Sequence, residues 1–239
     1  MVLYLIGLGL GDEHDITLKG LDAIKKCAKV YLESYTSRLS NENIPALEKL
    51  YGKKIIRASR STIEEQEAQI LREAQEQDIA ILIPGSPFSA TTHMELVLSA
   101  RKKNITLHII ENASILTAVG ITGLFLYKFG RVTTIPFENK NITSPYEVYL
   151  ENNKQGLHTL FLLDIQGDKM MSAKEGCEYL LKQGLPKTTK VIACAALGSN
   201  KQEIQIAEAQ KIKLSPFPQC LIVPGKLNFK EEEALALYT

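Results

Sequence analysis

Short, branched apolar runs alternate along this chain with longer stretches of helical period, and that alternation limits its possible folds most. Val2 to Leu8, Val30 to Glu33, Lys54 to Arg57, Ile79 to Ile83 and Ile105 to Ile110 are too short for helices and are bounded by turn residues. Runs of this kind predict buried strands. Between them, Asp15 or Thr17 can cap a helix running to Ala28, and Met94 to Ala100 reads as another. Thr62 and Glu65 have capping-box spacing at the head of a long charged helix. Strand–helix alternation makes a mostly parallel sheet with helices packed on it. The expected first domain spans residues 1–111 and the second 112–239.

In the second half, Ser114 is a plausible N-cap for a strongly apolar helix from Leu116 to Tyr127. Val132 to Ile135, His158 to Asp164, Lys190 to Ala195 and Cys220 to Val223 read as strands of a second sheet. Helices are expected over Ser144 to Glu151, Ala173 to Gln183 and Lys230 to Leu237, with Tyr146, Tyr149 and Tyr179 at the edge of the core. Two α/β domains facing each other across a cleft is the expected architecture.

Composition excludes several function classes. At 239 residues, 45% apolar and 23% charged, the chain can bury a proper core. A net charge of +1 gives no argument for a polyanion-binding surface, so no nucleic-acid partner is expected. Lys25, Lys26 and Lys29 read as a solvated helix face, although a carrier protein could dock there. Met1 to Leu10 lacks a basic leader and reads as a strand rather than a signal peptide. No apolar run approaches the roughly 20 residues of a membrane span. Cys27, Cys177, Cys194 and Cys220 include no CxxC pair, which suits a reduced, cytoplasmic compartment. The four histidines show no metal-ligand spacing, so no metal is expected.

The stretch richest in chemistry follows the Ile79 to Ile83 run: Pro84-Gly85-Ser86-Pro87-Phe88-Ser89-Ala90-Thr91-Thr92-His93. It reads as a strand-to-helix turn, and open parallel sheets bind ligands at that edge. Gly85 can take a positive φ and let a ligand approach the main chain, while Pro84 and Pro87 stiffen the loop around Ser86. An ordinary capped connection fits the same residues. Gly7, Gly9 and Gly11, with Glu33 further on, approach a dinucleotide fingerprint, but Asp12 or His14 falls where a third small residue is required. A nicotinamide or flavin site is therefore not expected. His93 reads as a capping or packing residue at a helix start.

The opening MVLYLIGLGLGDEHD resembles the diphthine synthases, S-adenosylmethionine-dependent enzymes of the tetrapyrrole-methylase type (class III methyltransferases). Six further blocks resemble the same family and fall in its order. They are ATTH (90–93), AVGITGL (118–124), YKFG (127–130), GLHT (156–159), LLDI (162–165) and IVPGKL (222–227). The resemblance implies a tetrapyrrole methylase-like fold of two α/β domains with the S-adenosylmethionine cleft between them. It also implies a homodimer, with the apolar helix at its interface. The implied activity is methylation of the amino group of 3-amino-3-carboxypropyl-histidine on translation elongation factor 2, giving diphthine. The implied cofactor contacts are Leu10, Ser86, Ser89, Ser114, Ile115, Leu163, Leu197 and Gln219.

Asp164, at the carboxyl end of a second-domain strand, is placed to assist as the catalytic acceptor of a proton. The chain departs from the family's usual residues at three positions: Ser86 stands for aspartate, Ala196 for arginine and Gln219 often for histidine. The segment between Ile165 and Lys190 is also shorter than usual. Two other readings stay open: a same-fold methyltransferase acting on a tetrapyrrole or RNA, and a non-catalytic homologue with a decayed pocket.

Overall fold

In the computed structural model, which describes residues 1–59 and 67–238, the chain divides into two units, Met1–Leu116 and Thr117–Thr239. The first unit carries strands β1 (Val2–Gly7), β2 (Lys29–Glu33), β3 (Ile55–Ala58), β4 (Ile79–Ile83) and β5 (Thr106–Ile110). All pair in parallel, in the order β3-β2-β4-β1-β5. Its helices are α1 (Leu18–Lys26), α2 (Ile44–Tyr51), α3 (Glu67–Glu76) and α4 (Met94–Lys102). The chain then passes through the short helix α5 (Ile115–Ala118).

The period-two pattern of the strands sorts the helices onto opposite faces. Leu3, Leu5, Ile79, Ile81 and Ile83 pack with Ile70 and Leu71 of α3 and with Leu96 and Val97 of α4. Ile6, Ala80 and Leu82 pack instead with Ala23 and Ile24 of α1 and with Leu47 and Tyr51 of α2. Right-handed crossovers require this division. From β1 to β3 the chain walks toward one edge of the sheet; from β3 to β5 it walks back.

Local chemistry sets the helix ends. The hydroxyl of Thr17 caps α1 by accepting from Gly20 N at 3.0 Å, whereas Asp15 turns elsewhere. Helix α2, which the periodicity does not predict, opens on Asn43 accepting from Ala46 N at 3.2 Å and closes on Gly52 at φ +66°. The capping pair expected at Thr62 and Glu65 lies outside the described residues.

The second unit holds strands β6 (Thr133–Ile135), β7 (Thr159–Leu163), β10 (Lys190–Ala195), β11 (Glu203–Glu208) and β12 (Gln219–Val223), in the order β11-β10-β12-β7-β6. Only the β6–β7 pair is parallel. A small hairpin of β8 (Ile165–Gln166) and β9 (Lys169–Met170) follows β7. Helices α6 (Ser144–Lys154), α7 (Ala173–Gln183) and α8 (Phe229–Leu235) accompany the sheet. Strand β11, absent from the sequence prediction, is a largely half-buried edge strand with only Ile204, Ile206 and Ala207 as apolar residues.

The apolar helix expected from Leu116 to Tyr127 does not form as one element. Helix α5 gives way to 3-10 turns at Val119–Thr122 and Leu126–Lys128. The break falls at Gly123, φ +86°, where a Cβ would sit 2.2 Å from that of Ala234. Close packing against α8, invisible to periodicity, overrides the helical pattern.

Tyr146 packs against the core of this unit as an edge residue, whereas Tyr149 and Tyr179 are buried within it, deeper than expected. All four cysteines are free and buried, and Cys194 faces Cys220 across β10 and β12. Among the described residues no helix is long and apolar enough to cross a membrane.

Three of the sequence blocks, YKFG, GLHT and IVPGKL, converge on one buried carboxylate, Glu231. It accepts from Phe125 N at 3.0 Å, from Asn228 N at 2.9 Å, from Lys128 Nζ and from His158 Nε2 at 3.0 Å. Gly225 N donates to His158 Nδ1 at 2.9 Å, so this ring carries its proton on Nε2 and is neutral. Burial pushes the His158 pKa below its ordinary 6.5, against the pull of Glu231. Burial also opposes the charge on Glu231, but the bonds from Lys128, Phe125, Asn228 and His158 outweigh it and hold the carboxyl at about 2.

Both shifts make stability depend on pH in the same sense. The His158 contribution is complete above 6.5 and is lost as pH falls from there through its lowered folded value. The Glu231 contribution is complete above 4.5 and is lost as pH falls toward about 2. Urea-unfolding midpoints measured across acid pH should therefore fall in two stages, and His158→Asn should remove the upper stage while leaving the lower.

Candidate functional site

Neighbouring strands β1 and β4 send their chains in opposite directions, β1 toward β2 and β4 toward β5. The two crossovers run over opposite faces of the sheet, and the loops that begin them lie at its carboxyl edge, the usual ligand position in a parallel sheet. The loops after β1, β4 and β5 meet there at the closeness only glycine allows. A Cβ on Gly7 would lie 2.7 Å from Gly85 O and 2.9 Å from Asn112 Cβ. Gly9 and Gly85 form an isolated antiparallel bridge, with N–H···O distances of 3.2 and 2.7 Å. Gly85 sits at φ +83°, and a Cβ added to it would meet nothing within 4 Å. Among the described residues no side chain blocks approach to the main chain on that side of Gly85.

Polar side chains fix these loops. One Asp15 oxygen accepts from Leu10 N at 3.1 Å and Gly11 N at 2.6 Å, while Ser40 N holds Leu10 O at 2.9 Å. Asn112 Nδ2 donates to Gly7 O and Asp15 O, each at 3.0 Å, tying the loop after β5 to that after β1. Ser86 is buried, and its hydroxyl donates to Glu111 Oε2 while accepting from Asn112 N at 3.4 Å. Ser89 N closes the turn on Ser86 O at 3.1 Å.

Of the five candidate contacts in this unit, Leu10, Ser86 and Ser89 lie on the first two loops. Buried Ser114 and half-buried Ile115 follow β5. Sequence reasoning missed Asp15, Asn112 and Glu111, whose roles depend on contacts between loops distant in the chain.

Two residues near this edge are internal supports. His93 makes no cap; it is 1% exposed and its Nδ1 donates to Pro87 O at 3.2 Å, which packs the helix start against the loop. Glu33 is buried and accepts from Tyr35 N, from Thr36 N at 2.7 Å and from the Thr36 hydroxyl, so it is committed to its own turn.

In the second unit one edge of the sheet collects the remaining candidates. Leu163 ends β7 and Asp164 follows it, Leu197 follows β10 and Gln219 begins the antiparallel β12. The Asp164 carboxylate accepts from Phe137 N at 2.9 Å and from Gln166 Nε2 at 3.1 Å, which fix its direction. Ala196 takes φ +47°, a left-handed conformation that strains an alanine, and its N–H donates to Pro218 O at 2.8 Å.

The Gln219 side chain is fully engaged. Its Oε1 accepts from Ala173 N, the first amide of α7, at 2.7 Å; its Nε2 donates to Pro216 O at 2.7 Å and Leu214 O at 3.3 Å. A separate hollow of about 710 Å³, lined by Phe137, Lys140, Ile142, Tyr179 and Lys182 among others, contains none of the candidates. Among the described residues no group of His, Cys, Asp or Glu side chains could hold a metal ion.

The donor set present suits a small ligand with an apolar and a cationic part. Gly85 leaves open space beside the main chain, Leu10 and Ile115 offer apolar surface, and Ser86 and Glu111 offer a hydroxyl and a carboxylate toward a cationic ligand.

Comparison with known proteins agrees on one family. Residues 2–213 match the family model of the Tetrapyrrole (Corrin/Porphyrin) Methylases. The diphthine synthase of Methanocaldococcus jannaschii is 42% identical over 98% of this chain and 97% of its own. A protein of Arabidopsis thaliana named probable diphthine methyl ester synthase is 40% identical over 99% and 98%. A crystal structure of diphthine synthase superimposes with a TM-score of 0.94 at 32% identity, covering 100% of this chain and 96% of that one.

The bonds of Gln219 generate an expectation for stability. Gln219→Ala leaves the Ala173 amide and two carbonyls without their partner, at a cost of about 1–3 kcal/mol. Urea denaturation of the variant, with no ligand added, should show that loss.

Proposed function

We propose, because the chain belongs to the tetrapyrrole (corrin/porphyrin) methylases and within them to the diphthine synthases, that it is an S-adenosylmethionine-dependent N-methyltransferase of diphthamide biosynthesis. Its substrate is the amino group of 3-amino-3-carboxypropyl-histidine on translation elongation factor 2, modified in the cytoplasm. The observation that carries this reading is identity of 42% over nearly the whole of both chains. The open space beside Gly85, at the carboxyl edge of the parallel sheet, supports it.

The proposed donor contacts are Leu10, Ser86, Ser89, Ser114 and Ile115 of the first unit, with Leu163, Leu197 and Gln219 of the second. Gln219 would contribute apolar surface or main chain, since its amide is spent on α7 and the 214–216 loop. When bound, S-adenosylmethionine supplies a methyl group already activated on sulfonium sulfur. The protein must then hold that group in line with a neutral amine, an orientation effect worth on the order of 7–11 kcal/mol in good cases. Asp164, aimed by Phe137 N and Gln166, is the proposed acceptor of the amine's proton.

A homodimer is part of the same reading. Ile121, Leu126, Tyr127, Phe229 and Leu237 expose apolar side chains, and the Tyr238 hydroxyl bonds Ile121 O at 2.8 Å, which brings the two segments together. Exposed apolar side chains on neighbouring segments suit an interface.

Calorimetric titration with S-adenosylhomocysteine should give micromolar binding, about −8 kcal/mol. Mass spectrometry of elongation factor 2 carrying the aminocarboxypropyl group should then show methylation at the amine. Binding without transfer, with methyl groups appearing on a tetrapyrrole or RNA instead, would replace the acceptor. Absence of binding at millimolar ligand would point to a non-catalytic homologue.

Asp164→Asn keeps an oxygen acceptor for Phe137 N and should fold normally. Its kcat should fall roughly 100-fold, while its affinity for S-adenosylhomocysteine, read by calorimetry, stays unchanged.

A further inference from the structure

We propose that the Glu111 carboxylate is the anionic contact for a cationic group of the methyl donor, held in position by the hydroxyl of Ser86; this rests on the methyltransferase reading above. Ser86 occupies the position where the family resemblance expects an aspartate, and taken alone that substitution removes a negative charge from the candidate site. The structure places another charge beside it. Glu111 is the first residue after β5, exposed, and its Oε2 accepts directly from the buried Ser86 hydroxyl.

The hydroxyl is itself fixed, because its oxygen accepts from Asn112 N at 3.4 Å and Asn112 is tied to Gly7 O and Asp15 O. A residue at a loop start, free to sweep through solvent, is thereby pinned at the carboxyl edge of the sheet, on the serine that follows Gly85. Among the described residues no lysine, arginine or histidine forms an ion pair with Glu111. Its charge is left for a ligand to meet.

The donor is the kind of ligand that would meet it. S-adenosylmethionine carries an ammonium group and a sulfonium; S-adenosylhomocysteine keeps only the ammonium. A carboxylate pays off best against such groups when its direction is already set, since charge-assisted hydrogen bonds are stronger than neutral ones. The serine hydroxyl alone supplies no charge. An aspartate added at position 86 would put two carboxylates in contact, and like charges that close cannot both stay ionised without cost.

Calorimetry on the full chain with both ligands tests the assignment. Glu111→Gln should weaken S-adenosylhomocysteine about 10- to 100-fold, with unchanged thermal unfolding because the side chain is exposed. Ser86→Asp in the Glu111→Gln background should restore binding to within a few-fold of the wild-type protein. An equal loss for both ligands assigns the carboxylate to the ammonium; a larger loss for S-adenosylmethionine assigns it to the sulfonium. Wild-type affinity in Glu111→Gln, for both ligands, overturns the role of Glu111 and leaves the methyltransferase reading standing. Failure of the wild-type protein to bind either ligand at millimolar concentration overturns both.

Discussion

Gly7 ends strand β1 where a side chain would run into Gly85 O and Asn112 Cβ, and on that closeness the ligand edge of the first unit depends. Parallel strands deliver their following loops to the same edge, but ordinarily side chains keep those loops apart. Here the Gly9–Gly85 bridge lets the main chains of two loops hydrogen-bond, and Asn112 ties in the third. Asp15, which sequence reasoning offers as a helix cap, turns instead to the amides of Leu10 and Gly11. The backbone surface over which a ligand would lie is therefore formed before any ligand arrives, which lowers the ordering cost of binding.

The second unit depends on a different economy, in which one buried charge organises several segments. Glu231 gathers Phe125, Lys128, His158 and Asn228 from three distant parts of the chain. Such a charge is tolerated inside only when paired and fully hydrogen-bonded. Each donor is then required by the others, which ties together the segments that hold Lys128, His158 and Gly225. Read as sequence, the blocks holding these residues carry only a family resemblance; the geometry gives them structural work.

The sheets and most helices are legible in the sequence because their information is local: branched apolar runs, period-two burial and turn residues at the ends. Strand β10 and helix α7 run over the very residues expected. What escapes is set by tertiary contact. Ala234 breaks the apolar helix at Gly123. Helix α2 is only eight residues long, and β11 is a largely half-buried edge strand held by its pairing with β10. The candidate site divides in the same way. Gly85 and Ser86 are readable from a strand-to-helix turn, and the resemblance supplies the remaining candidates. The engagement of Gln219 with α7 and of Ser86 with Glu111 requires distances.

The buried cysteines have a consequence for chemical reactivity. Burial pushes the thiol of Cys27 up to about 11 and that of Cys177 up to about 12. Cys220 is raised well above the ordinary value by its hydrogen bond with Cys194 and by burial. Thiolate is the nucleophile, so these side chains are nearly inert toward alkylating reagents at neutral pH. A single cysteine introduced on an exposed surface would then be the favoured site for a maleimide label. The native protein can carry one fluorophore or spin label at a chosen position without first being stripped of its own sulfur.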